Sequence, residues 1–133
     1  MITNIEQMIA KAGAKEVQLS GWEGDEITVM LKKPSLYEMA ASGSIPNPLL
    51  GIAEALFVGN QDTIKRTPID EVAKTLRSMA KKALVNPTWD ELQNAGIELT
   101  DQQINEIYAF IVGGAAQLER FRAAERNSIG GNG

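Results

Sequence analysis

Apolar residues recur along this chain with two different periods, and the change from one to the other predicts its architecture. Ile5, Met8 and Ile9 share one helical face between Ile5 and Ala12, and Gly13 follows as a C-cap. The period then falls to two. Val17 and Leu19 alternate with Glu16 and Gln18, and Ile27, Val29 and Leu31 alternate with Thr28 and Met30, the repeat of half-buried strands. The turn-rich Ser20–Asp25 stretch between them predicts a β-hairpin, and Pro34 ends its second strand because it cannot donate to a ladder.

Beyond Pro34 the pattern is helical. Segments are expected at Ser35–Ala41, Pro48–Val58, Pro68–Val85 and Thr88–Asn94, with a long final helix from Asp101. In that last helix Ile104, Ile107, Tyr108, Ile111, Ala115, Leu118 and Phe121 form one continuous stripe. Helix starts are marked by capping-box spacings at Thr3/Glu6, Ser35/Glu38, Thr88/Glu91 and Thr100/Gln103, and by the Asn47-Pro48 and Thr67-Pro68 pairs. Asn86-Pro87 should stop the fourth helical segment. Gln61–Thr67, polar apart from Ile64, reads as a mobile loop. The fold expected is α+β: an N-terminal helix and β-hairpin followed by a mainly α-helical bundle, as a single domain over 1–126 with a flexible tail over 127–133.

Composition narrows the chemistry. The chain has 133 residues, no cysteine, no histidine and a net charge of -4 with the two signs interspersed. Disulfides, thiolate nucleophiles and imidazole bases are therefore excluded, and nothing resembles a basic footprint for nucleic acid. No apolar run approaches the roughly 18 residues of a membrane span, so no membrane partner is expected. Glu23, Asp25 and Glu26 crowd the hairpin loop, but their spacing does not match a calcium-binding EF-hand, and a solvated acidic turn explains them. No glycine pattern forms a phosphate loop. The sequence thus offers no catalytic, cofactor-binding or metal-binding set.

Features left over concern contact rather than catalysis. Gly113-Gly114 interrupts a strongly amphipathic helix, predicting a kink or a close approach of another backbone. Trp22 lies in the hairpin loop, where it either folds back onto its own sheet or serves as an interface anchor. Leu36, Tyr37, Met39, Ile45, Pro46, Leu49 and Leu50 crowd around a short Gly- and Pro-containing loop. Intramolecular core is the first reading of that cluster and a partner groove the second.

Taken as strings, several pieces resemble one family. They are Gly21-Trp22-Glu23 before the Ile27-Thr28-Val29 strand, Lys32-Lys33-Pro34-Ser35-Leu36, Gly43 followed by Ile45-Pro46-Asn47-Pro48-Leu49-Leu50, Ala83–Thr88, Ile97–Gln103 and the region from Gly113 to Arg122. Over about Val17 to Arg122 the chain resembles the tail assembly chaperones of long-tailed phages of Gram-positive bacteria. That resemblance implies a non-enzymatic protein of the host bacterial cytoplasm. It would bind the tape measure protein, keep it soluble, assist assembly of the tail tube protein around it, self-associate, and be absent from the virion. Two alternatives are a minor structural tail or connector protein and a small metal-dependent enzyme built on the Glu23, Asp25 and Glu26 cluster.

Overall fold

The computed structural model describes residues 1–130. In chain order the elements are α1 (Ile5–Ala12), β1 (Lys15–Ser20), β2 (Glu26–Leu31), α2 (Leu36–Ser42), a 3-10 turn at Asn47–Leu49, α3 (Leu50–Val58), α4 (Gln61–Arg66), α5 (Ile69–Ala83), β3 (Leu84–Asn86), α6 (Trp89–Asn94) and α7 (Asp101–Gly130). This is the expected α+β arrangement. A three-stranded antiparallel sheet in the order β1-β2-β3 is covered by helices on one face. Val17, Leu19, Val29 and Leu31 point into the core, while Glu16, Gln18 and Thr28 between them face out. The pairing register, Lys15 with Leu31 through Ser20 with Glu26, keeps both alternations in step.

Most helix starts lie where the sequence marks them, for the reasons it suggests. Thr88 and Glu91 form a reciprocal capping box, and so do Thr100 and Gln103. Ser35 accepts from the Glu38 amide. At the first helix the box is one residue later than expected, with Asn4 accepting from the Gln7 amide and Gln7 returning the bond. The shift makes Ile5 the first helical residue.

Two expectations are corrected. The segment expected as a mobile loop forms α4, because Asn60 caps it, Asp62 sits in its first turn, Lys65 and Arg66 in its last, and Ile64 packs against the core. The fourth expected helix stops at Ala83 rather than Val85. Leu84–Asn86 leaves the helix to pair with the free edge of β2, and Pro87 follows where its missing N–H costs no ladder bond. Helical backbone runs to Gly130, into the segment 127–133 expected as a tail, and residues 131–133 lie outside the described residues.

The largest departure is inside α7. Gly114 has φ 78° and ψ -168°, backbone open to glycine and almost nothing else. This is the kink expected at Gly113-Gly114, but its size was not legible. The Gln102 side-chain amide donates to Glu125 at 2.6 Å. Residues 101–113 and 115–130 therefore run antiparallel as two arms of a helical hairpin. Both arms turn apolar side chains to the same core: Ile104, Ile107 and Ile111 from the first, Leu118 from the second.

Candidate functional site

Two features of this fold stand apart from ordinary packing, one at each end of the β-hairpin. At the open end lies α1. It is amphipathic by sequence, yet no residue of it is buried: Ile5 is 68% and Ile9 65% exposed, Met8 is exposed on the same face, and Ile2 extends the row toward the N-terminus. Val58 is also exposed, but singly, as is common on protein surfaces, and Ile69 rims a groove whose other apolar residues on its helix, Val72, Ala73 and Leu76, are half-buried. The α1 residues differ because the i, i+3, i+4 spacing makes them one contiguous apolar strip. The helix is secured through its last turn, where the Lys15 ammonium donates to the Ala10 carbonyl and the Gly13 amide to that of Ile9. A groove of about 380 Å³ between this end of α1 and the α7 bend is lined by Lys11, Lys15 and Lys33 over Phe110, Gly114 and Ala115.

At the turn end, about 17 Å along β1 by strand geometry, lies a buried polar clamp. Glu106, on the first arm of α7, is 0% exposed. Its carboxylate accepts from the Ser20 amide at 2.8 Å and the Ser20 hydroxyl at 2.7 Å. Arg122, on the second arm, brings its Nε within 3.6 Å of that carboxylate, donates to the Gln18 carbonyl at 3.3 Å and pairs with Glu26. Gln103 uses its side-chain oxygen for the Thr100 cap and its side-chain amide for the Ser20 carbonyl. The clamp thus ties the strand turn to both arms of α7. Its balance is incomplete, because Arg122 Nε and Glu125 Oε1 are buried without a hydrogen-bond partner among the described residues. Burial raises the Glu125 carboxyl above its ordinary pKa, and the Glu106 carboxylate adds to the shift, while the Gln102 bond and Arg122 offset part of it.

A cleft of about 910 Å³ opens beside the clamp, with Trp22 on its rim. The carboxylates of the strand turn do not converge there. Asp25 accepts from the Glu23 amide and Glu26 is engaged by Arg122. Among the described residues no group of three His, Cys, Asp or Glu side chains is placed to share a metal ion.

The residues singled out for partner contact separate into distinct environments. Met39, Ile45 and Leu49 are core, Ile45 at 0% exposure, and Leu36 and Leu50 pack against that core from its margin. Apolar density around the short loop is thus largely accounted for by the interior, the first of its two readings. Tyr37, 86% exposed, and Pro46 remain on the surface. Trp22 is exposed at the cleft, and Gly113 and Gly114 form the α7 bend. Sequence reasoning did not single out α1, because an amphipathic stripe reads the same whether it faces a core or solvent. Nor did it find Glu106 and Arg122, since isolated charges in a helix read as its solvated face. No family model, curated protein or solved structure matches the chain.

Proposed function

We propose that this chain is a non-catalytic assembly chaperone of phage tails, binding apolar helical segments of the tape measure protein and keeping them soluble while the tail tube forms. The observation that supports this reading is the contiguous apolar face of α1, which none of the described residues covers. An amphipathic helix is a standard recognition element for another apolar helix, engaged through i, i+3, i+4 anchors. Full burial of a side chain such as Ile5, Met8 or Ile9 against a partner contributes about 1.5–3 kcal/mol. Tyr37 and Trp22 are further exposed contacts that a long partner could reach.

The test is co-expression with a tape measure protein from the same genome. The wild-type chain should carry it into the soluble fraction as a complex, and an Ile5→Glu/Ile9→Lys double variant should not. A tape measure protein equally insoluble with and without the wild-type chain overturns the reading. Mass spectrometry of purified virions should find no peptides of this chain; finding them would favour a structural tail protein instead.

A further inference from the structure

The bend in α7 is built from residues that only the bent form requires. Gly114 occupies backbone space that side chains do not tolerate, and a Cβ on Gly113 would stand 2.3 Å from Gln117 Cβ. In a straight helix neither constraint exists: any residue fits at 114, and positions 113 and 117 are ordinary neighbours one turn apart. The apolar stripe also keeps step across the bend. Ile104, Ile107, Tyr108, Ile111, Ala115 and Leu118 follow at intervals of one to four residues and would line a single side of a straight helix.

Extended, α7 is about 45 Å long and carries residues 115–130 away from their own body. That move removes Arg122 from Glu106, uncovers the apolar side of Leu118, and leaves the groove beside Ser20 without its occupant. The groove is specific: it needs a guanidinium facing a buried carboxylate, a carboxylate facing Gln102, and an apolar residue one turn before the guanidinium. The same arm of another copy of this chain supplies all three in register. Reciprocal exchange therefore restores every contact between chains and relieves the bend.

We propose that residues 115–130 are an exchangeable arm: α7 straightens at Gly114 and seats its second half against Glu106 of a second copy, which returns its own. Self-association would then be governed by the Gly113-Gly114 hinge, with Arg122 of one chain completing the clamp of the other.

The absence of native cysteine allows a direct test in the full chain. One preparation carries Gln102→Cys and another Glu125→Cys, and the two are mixed and treated with a short bis-maleimide. With the wild-type hinge, a separate chain bearing both cysteines should cross-link mainly within itself, and the mixed single-cysteine preparations should cross-link little. With Gly113→Ala/Gly114→Ala, which penalises only the bent form, the mixed preparations should give a 102-to-125 cross-linked dimer, raised about tenfold or more over the wild-type hinge. Light scattering should report a dimer, and circular dichroism a helical, cooperatively melting protein. A folded monomer with intrachain cross-links only, a dimer lacking the 102-to-125 link, or loss of cooperative folding in the hinge variant would each overturn the proposal.

Discussion

Gln102 and Glu125 are 23 residues apart within one helical element, yet the Gln102 amide donates to Glu125 Oε2 at 2.6 Å. In a straight helix they would stand about 35 Å apart. Their contact defines α7 as two antiparallel arms, and it does so at the rim of a clamp whose centre, Glu106 with Arg122, is buried. The second arm is therefore held largely by charge and hydrogen bonds, with Leu118 as its fully buried apolar anchor.

Arg122 should be worth more to stability than its surface-like sequence context suggests. Arg122→Met leaves the Glu106 carboxylate buried with only the Ser20 donors, and a loss of about 3 kcal/mol is expected in urea unfolding. Adding Glu106→Gln should recover more than half of it, because the uncompensated charge is then gone. Strictly additive losses in the double variant would mean that the two side chains are not coupled.

Glu125 should make stability fall as pH rises from acid to neutral. Its folded pKa lies above the unfolded value near 4.5, so the favoured protonated form contributes fully below that value, and the contribution is lost as pH climbs through the folded pKa. Glu125→Gln mimics the protonated group. It should be more stable than wild type at neutral pH, with the difference closing on acidification. A difference independent of pH would place the titration elsewhere.

The exposed face of α1 should contribute little to folding. The Ile5→Glu/Ile9→Lys variant places each charge at the helix end that favours it and should change unfolding free energy by no more than about 0.5 kcal/mol. Ile45→Ala removes a fully buried side chain and should cost about 2–5 kcal/mol. A comparable loss in the α1 variant would show that the helix docks on the body.

Glu91 should titrate below an ordinary glutamate, because the Thr88 amide and hydroxyl stabilise its carboxylate in the capping box. Its contribution is present above the ordinary value of 4.5 and lost as pH falls through the lowered one. In Thr88→Val the NMR titration of the Glu91 side-chain carbon should move toward normal. An unchanged midpoint would remove the Thr88 hydroxyl from the account.

Local chemistry made much of the framework legible. Capping at Thr88 and Thr100, the β-hairpin alternation and the α7 stripe each depend on residues within a few positions of one another. Where reading failed, the deciding partner was distant. Leu84–Asn86 became a strand because β2 had a free edge, and the Gln61–Arg66 helix gained its apolar anchor from a core assembled elsewhere. The candidate site was less legible than the fold, since Ile5 and Ile9 carry the same pattern as Ile104 and Ile107 and differ only in what lies opposite.

The sequence by itself determined most of the helical and extended segments and most of the helix starts, and that glycine at 113 and 114 would disturb the last helix. Only the tertiary structure decided that the disturbance is a reversal, that Glu106 and Arg122 meet inside, and that α1 is left uncovered. Hydrogen bonding and periodicity act over one turn or one strand pair, so they are written locally. Burial and the pairing of remote charges belong to the packed chain, where residues many positions apart become neighbours.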